Sequence, residues 1–123
     1  MADNYLTFST DVPMNEEELK WVSFEYSRMA NEAEYGPGFN IEQDTTSTVF
    51  YSEDSGDTEM LAVFLRAFLI RWRPRDAVGV EFALTCSKAR PGEFGGGAFV
   101  VTATTEHWIS TAEWISEKLK EIG

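Results

Sequence analysis

Basic residues, cysteine and histidine are all scarce in this sequence. Its 123 residues include 10 Lys and Arg against 21 Asp and Glu, with one cysteine, Cys86, and one histidine, His107. A single cysteine excludes an internal disulfide, and one cysteine with one histidine is too few for a structural zinc site. We therefore predict a domain that folds without cross-links or metal, in a reducing compartment.

Long apolar runs are absent as well. No stretch approaches the ~20 apolar residues that a membrane-spanning helix needs. Residues 1–13 contain acids and no base, whereas a signal peptide begins with basic residues and continues with an apolar run. These absences predict a cytoplasmic protein that does not bind membranes.

The composition favours one folded domain. Hydrophobic residues make up 43% and aromatic residues 14% of the chain, which is typical of a globular protein and not of a disordered one. A chain of this length can bury one hydrophobic core. We predict a single domain over residues 1–123.

The charge is large and unevenly distributed. The formal net charge is −11, and residues 1–60 hold 14 acids against two bases, while residues 61–123 hold seven acids against eight bases. The electrostatic field of such a negative charge repels nucleic acid and attracts basic partners. Solubility alone also explains an acidic surface, so the asymmetry by itself does not identify a binding site.

The first half of the chain alternates strand and helix patterns. Strand-forming residues occupy 5–10, 39–43 and 48–52, and a turn at 44–47 joins the last two. A helix follows the first strand, with Asn15 as its N-cap and Glu18 completing a capping box. Two aromatic residues lie off its apolar stripe, Trp21 and Phe24. The stripe itself consists of Leu19, Val22, Tyr26, Met29 and Ala33.

The second half begins with the most apolar segment. Residues 58–72 have helical spacing, with Asp57 as N-cap and Pro74 as terminator, and apolar side chains nearly all round. This pattern predicts the central helix of the core. Its stripe contains Leu61, Phe64, Leu65, Phe68 and Trp72, widened by Val63, Leu69 and Ile70.

Two strands and a helix complete the chain. Residues 78–84 alternate apolar and small or polar side chains, and residues 98–103 form another strand-like run. Ser110 and Glu113 form a capping-box pattern that opens a last helix. The side chains expected to face the core from that helix are Trp114, Ile115, Leu119 and Ile122.

These elements follow the order β-α-β-β-α-β-β-α. The first six match the split βαβ arrangement of ferredoxin-like domains. We therefore predict an α+β fold with a ferredoxin-like antiparallel sheet and helices mainly on one face.

The most unusual segment is a loop predicted at 87–97, with two bases, four glycines and a proline. Consecutive glycines allow close backbone approach, and their N–H groups can form a nest for an anion beside basic side chains. A wide hairpin loop or bulge is the purely structural interpretation. A P-loop is excluded because these glycines lead into a strand. The candidate anion loop consists of Lys88, Arg90, Gly95, Gly96 and Gly97.

The same segment carries a family resemblance. Residues 86–98 read Cys-Ser-Lys-Ala-Arg-Pro-Gly-Glu-Phe-Gly-Gly-Gly-Ala. They resemble the Cys-Ser-Lys-x-Arg-x-Gly-Glu-Phe-Gly-Gly-Gly-Ala signature of a family of small bacterial and phage proteins whose activity is not established. Residues 5–10 and 50–56, the pair Val101-Thr102 and Trp108 are also similar, so the resemblance covers most of the chain. It implies a phage or mobile-element origin and no catalytic residues.

Groups capable of catalysis are few. Cys86 continues the apolar phase of the 78–84 strand, which predicts a core-facing thiol. At ~3.3 Å per strand residue, the returning strand places His107 roughly 30 Å away, well beyond the reach of a catalytic dyad. The acid clusters lack EF-hand spacing. No catalytic residue, metal or cofactor is assigned, and the negative charge argues against direct nucleic-acid binding.

Two functions fit these observations. The first is a non-enzymatic module that binds a basic surface of another protein. If the protein comes from a phage, it would act in the host cytoplasm and inhibit a defence complex that handles nucleic acid. Anti-CRISPR proteins and DNA mimics act in this way. The alternative is a small anion- or nucleotide-binding domain or enzyme that uses the candidate anion loop. The expected acidic face of the first function consists of Glu16, Glu17, Glu18, Glu53, Asp54 and Asp57.

Overall fold

A computed structural model describes residues 4–32, 34 and 36–123. The elements are β1 (Asn4–Pro13), α1 (Glu16–Glu32), β2 (Asn40–Gln43), β3 (Ser47–Ser52), α2 (Thr58–Trp72), β4 (Ala77–Cys86), β5 (Gly95–Thr102), β6 (Glu106–Ser110) and α3 (Thr111–Ile122). The six strands form one antiparallel sheet in the order β2-β3-β1-β4-β5-β6. This confirms the α+β class. Among the residues described, no helix has the length and apolarity that a membrane span requires.

The sheet has one strand more than the sequence predicts. β6 pairs with β5, with Trp108 opposite Phe99, where a plain connection to the last helix was expected. Its five residues, Glu-His-Trp-Ile-Ser, place two polar side chains together and two apolar side chains together, so the alternation that identifies a strand is missing. β5 also begins earlier than expected, at Gly95.

The pairing register sorts the strand side chains onto two faces, because successive side chains of a strand point to opposite sides. One face is buried against helices, and it carries Phe8, Val12, Phe50, Val80, Phe99 and Val101. Apart from the buried Ser47, the other face consists of exposed or half-buried side chains, and we call it the open face.

Helix α2 is the centre of the core, as its sequence predicts. Its buried side chains are Leu61, Ala62, Phe64, Leu65, Phe68 and Leu69. The ring of Phe64 lies 5.4 Å from that of Phe39 and 5.8 Å from that of Phe50, measured between centroids. Val63 and Ile70 are exposed, so the apolar surface of α2 extends beyond the part that the core covers.

Helix α1 packs through a wider surface than its predicted stripe. Trp21 was expected off the stripe, yet its ring lies 5.8 Å from Phe64 and 6.2 Å from Phe68. Phe24 is exposed, as expected, and Ala33 lies outside the described residues. The remaining stripe residues are buried or half-buried, namely Leu19, Val22, Tyr26 and Met29.

All three predicted helix caps are confirmed. The Asn15 side chain accepts a hydrogen bond from the Glu18 N–H at 2.9 Å, and the Glu18 carboxylate accepts one from the Asn15 N–H at 2.9 Å. Asp57 accepts from an N–H in the first turn of α2 at 3.0 Å. Ser110 accepts from the Glu113 N–H at 3.1 Å. Each bond satisfies a donor that the helix itself leaves free.

The inward orientation expected for the apolar side chains of α3 is wrong. The exposed fractions are 54% for Trp114, 51% for Ile115, 65% for Leu119 and 85% for Ile122. The helix lies against β5 and β6 near its start, where the Thr111 hydroxyl accepts a hydrogen bond from the Gly96 N–H at 3.0 Å. An amphipathic pattern shows that one side of a helix is apolar, but it does not show that the same domain covers that side.

Candidate functional site

The six acids expected to form one binding face lie in two separate groups. They are Glu16, Glu17 and Glu18 at the start of α1, and Glu53, Asp54 and Asp57 before the first turn of α2. Glu18 contacts Arg73, which caps the end of α2, at 2.8 Å. The start of α1 therefore lies against the end of α2, and the 15 residues of α2 span about 22 Å. Because the two helices run in opposite directions, the two groups of acids lie at opposite ends of this helix pair.

Glu18 is also unavailable to a partner. Its side chain is buried, and both carboxylate oxygens are bound, one by Arg73 Nε and the other by Arg73 Nη2 and the Asn15 N–H. Hydrogen bonds from the Arg73 guanidinium, followed by that of the Asn15 N–H, hold the pKa of Glu18 below its ordinary value. The same contact raises the pKa of Arg73. This ion pair is a structural contact between two helix ends.

The glycines of the candidate anion loop lie in strand β5. Gly95, Gly96 and Gly97 pair with β4, and none has the positive φ that an alternating anion nest requires. A Cβ atom on Gly96 would lie 2.6 Å from the Phe82 carbonyl oxygen, and one on Gly97 would overlap the Ile109 carbonyl oxygen. These contacts favour the structural interpretation, in which the glycines let three strands approach closely.

The basic residues of that segment, Lys88 and Arg90, are exposed between β4 and β5. Cys86 ends β4 and is half-buried, whereas His107 is exposed on β6. The register places His107 level with Gly79, seven positions along β4 from the cysteine, or about 23 Å at strand spacing. In the described ranges, no three His, Cys, Asp or Glu side chains are grouped as a metal site requires.

The open face of the sheet gathers acids from separate strands. Asp11, Glu42 and Glu81 point to this face from β1, β2 and β4, and Glu53 follows β3 at its edge. All four side chains are exposed. None of the six described strands contains a lysine or arginine. The acids on this face therefore have no basic neighbour on the strands that carry them.

Pairing fixes the spacing between two of these acids. Asp11 and Glu42 both pair with Val49, one from each side. They are therefore two strands apart, which corresponds to about 10 Å. In the next row Tyr51 pairs with Ser9, and both place hydroxyl groups on the same face.

Two open grooves cross this face and share Ser9. The first has a volume of about 660 Å³, and its open-face lining consists of Thr7, Ser9, Glu42, Val49, Tyr51 and Glu53. The second has a volume of about 460 Å³ and includes Glu81. Gly79 contributes no side chain to the second groove, and an added Cβ there would meet neighbours only at 3.7 Å or more.

The charged side chains that line these grooves are carboxylates. Ionised carboxylates are acceptors only, and they form their strongest hydrogen bonds with arginine and lysine. Strand alternation could have identified Glu81 and Glu42, since each is flanked by side chains that point to the core. It could not have identified Asp11, because the sequence predicted that the first strand ends at residue 10.

Comparison with known proteins adds no assignment to this geometry. No family model, curated protein or solved structure matches the chain. The open face itself is therefore the basis on which a function can be inferred.

Proposed function

We propose that this chain is a non-enzymatic binding module that uses the open face of its sheet to bind a basic surface of another protein. The observation that carries the proposal is the exposure of Asp11, Glu42 and Glu81 on strands that contain no lysine or arginine. A paired sheet holds these carboxylates at fixed spacing, so little ordering is needed on binding. Exposed charges of this kind mainly raise association rate and specificity.

The proposed partner is a protein surface that normally holds nucleic acid. Arginine and lysine side chains that bind phosphate also bind carboxylate, so an acidic protein competes with nucleic acid for them. The net charge of −11 supports this class of partner. Together with the family resemblance, it supports a phage or mobile-element inhibitor of a host defence complex, of the anti-CRISPR or DNA-mimic type, acting in the host cytoplasm.

We also infer that the fold is a ferredoxin-like domain with an extended sheet. The βαββαβ order of its first six elements supports this assignment. On this assignment β5 and β6 are additions beside β4.

A titration of the isotope-labelled chain with an arginine-rich peptide tests the proposal at the level of single residues. We expect the amide shifts to change along the open face, at Ser9, Tyr51 and Glu81, and the changes to shrink in high salt as screening shortens to about 3 Å at 1 M. Shift changes confined to the helix starts, at Glu17 and Asp54, would contradict the use of the open face. The partner class is tested separately, by measuring whether the chain releases DNA from a CRISPR effector complex.

A further inference from the structure

The two central strands of the sheet, β1 and β4, are paired with each other over only half of their length. Their ladder ends at the row in which Phe8 lies opposite Phe82. Beyond that row, residues 9–13 pair with β3 and residues 77–81 pair with β5. In the part of the chain that the structure describes, no residue pair joins these two segments. We call the space between residues 9–13 and 77–81 the β1–β4 gap.

Two cavities occupy the β1–β4 gap. One is the groove of about 460 Å³ on the open face, and the other has a volume of about 240 Å³. Both are lined by Thr10 of β1 and by Gly79 of β4, so they adjoin each other. A Cβ atom on Gly79 would have no atom of β1 within 4 Å. Open space therefore lies where a continuous ladder would hold the two strands about 4.8 Å apart.

The direction of the backbone shows which groups of β1 face the gap. The N–H and C=O groups of successive strand residues point alternately to the two neighbouring strands. The Leu6 N–H donates to the Asp54 carbonyl group and the Met14 N–H donates to the Thr46 carbonyl group, both next to β3. Even-numbered residues of β1 therefore point to β3. The odd-numbered Asp11 points its N–H and C=O groups into the gap.

The same alternation applies to β4. The Thr102 N–H donates to the Thr105 carbonyl group on the side of β6, so Val101 points to β4, where it pairs with Val78. Even-numbered residues of β4 therefore point to β5. The N–H and C=O groups of Gly79 point into the gap, where no described residue pairs with them. Unpaired strand edges of this kind are the sites at which a further strand can add.

The charges around the gap favour a basic occupant. Asp11 and Glu81 line it from its two sides, and both are exposed. Neither carboxylate forms an ion pair with a described residue. The one guanidinium that lines the gap, that of Arg73, donates to the Pro13 carbonyl group and is paired with the buried Glu18. Its charge is therefore not available to the two exposed acids.

We infer that the β1–β4 gap receives an extended basic segment of the partner, which pairs with β4 as an added antiparallel strand. The inference rests on the proposed function, because it names how the basic partner is held at the open face. β4 is the pairing strand because Pro13 of β1 has no N–H to donate and its carbonyl group is already bound. Alternate basic side chains would point to the open face and meet Asp11 and Glu81. Backbone hydrogen bonds would supply affinity, and these side chains would supply specificity.

Binding of a short peptide with arginine and valine at alternate positions tests the inference. In the antiparallel arrangement, the arginine N–H groups point to β4 and the valine N–H groups point away from it. Methylation of the arginine N–H groups removes the pairing donors and leaves the charge unchanged, so it should raise the Kd about tenfold or more. Methylation of the valine N–H groups should raise the Kd less. Isothermal titration calorimetry compares the three peptides.

Gly79→Pro and Gly79→Ala form a matched pair of variants, and neither changes the charge. Proline removes the N–H that faces the gap, whereas β4 bonds to β5 through the neighbouring residues Val78 and Val80. Alanine keeps that N–H, and its methyl group would meet neighbours only at 3.7 Å or more. We expect the Kd of the unmodified peptide to rise about tenfold or more for Gly79→Pro. It should stay within about threefold of the wild-type value for Gly79→Ala.

Hydrogen exchange of the wild-type chain gives a measurement that needs no variant. The amides of Asp11 and Gly79 should exchange rapidly in the free chain and slowly with bound peptide, whereas that of Val80 should exchange slowly in both states. Slow exchange at Gly79 in the free chain would overturn the inference, because the gap would be closed. Equal Kd values for the unmodified and arginine-methylated peptides would overturn it and leave the proposed function standing. Failure of the unmodified peptide to bind would overturn the proposed function and the inference with it.

Discussion

Glu18 and Arg73 join the first turn of α1 to the end of α2. The Nε and Nη2 atoms of Arg73 donate to the two carboxylate oxygens of Glu18 at 2.8 and 2.9 Å. One of those oxygens also accepts the Asn15 N–H of the capping box. A single buried carboxylate therefore completes a helix cap and an ion pair between two helices.

Glu18→Gln should lower the free energy of unfolding by about 1.5–3 kcal/mol at neutral pH, which is the usual contribution of hydrogen bonds to charged groups. Glu17→Gln is the control, because Glu17 lies in the same turn and is exposed. We expect that control to stay within about 0.5 kcal/mol of the wild type. Urea unfolding of the three proteins measures the difference, and equal losses for the two variants would contradict the role of the Arg73 contact.

The loss of unfolding free energy caused by Glu18→Gln should also depend on pH. Arg73 holds the pKa of Glu18 in the folded protein below the ordinary value of a glutamate, which applies in the unfolded chain. The stability that this carboxylate contributes is therefore fully present above that value, and it is lost as the pH falls through the lowered pKa of the folded state. The stabilities of wild type and variant should converge in acid. A gap that stays constant down to the lowest pH at which the wild type folds would show that the ionised carboxylate is not its source.

Phe68→Ala should lower the free energy of unfolding by about 3–5 kcal/mol, the usual loss when a buried phenylalanine is truncated. Phe68 is completely buried in α2 and contacts Trp21. Phe24→Ala makes the same chemical change at a side chain that is 67% exposed, and it should have little effect. Thermal melting of both variants compares them directly. Similar melting temperatures for the two would mean that Phe68 is not part of the core.

Gly97→Ala should destabilise the edge of the sheet by about 1–3 kcal/mol, as overpacking does. The added methyl group would lie 2.8 Å from Phe82 Cζ and would overlap the Ile109 carbonyl oxygen of β6. Gly79→Ala is the control within the same sheet, because its methyl group would meet neighbours at 3.7 Å or more. Denaturant unfolding should separate the two variants. Equal stability would mean that β6 does not need the close approach that Gly97 provides.

Glu42→Lys with Glu81→Lys should slow association with an arginine-rich peptide, and the effect should weaken in high salt. Glu17→Lys with Asp54→Lys changes the net charge by the same amount and alters the helix starts. Association rates at two salt concentrations compare the two double variants. If both slow binding equally, overall charge and not the open face would govern the encounter.

Much of the fold could be predicted because local signals agree with it. The caps at Asn15, Asp57 and Ser110 depend on residues within one turn, and the α2 stripe depends on residues within one helix. These features can be predicted because the residues that determine them are close together in the sequence. The extra strand β6 was missed because its polar and apolar residues do not alternate.

The candidate site was less predictable because it depends on how distant elements are arranged. Glu16 opens α1 and Asp54 precedes α2, but the antiparallel packing of the two helices separates these acids. The apolar side of α3 was expected inside because periodicity cannot show which neighbour covers it. In contrast, Glu81 lies on the open face for a local reason, the strict alternation of β4.

The central position of β1 affects the order in which the chain can fold during synthesis. β1 pairs with β3 on one side and with β4 on the other, and Asn4 lies opposite Cys86. At about 5–20 residues per second, the ribosome adds the intervening residues, roughly 80, over several seconds. During that interval β1 lacks at least one partner, and its unpaired backbone is open to wrong pairing. Nascent chains arrested before residue 86 should therefore be protease-sensitive, and the sheet should close only after β4 has left the exit tunnel.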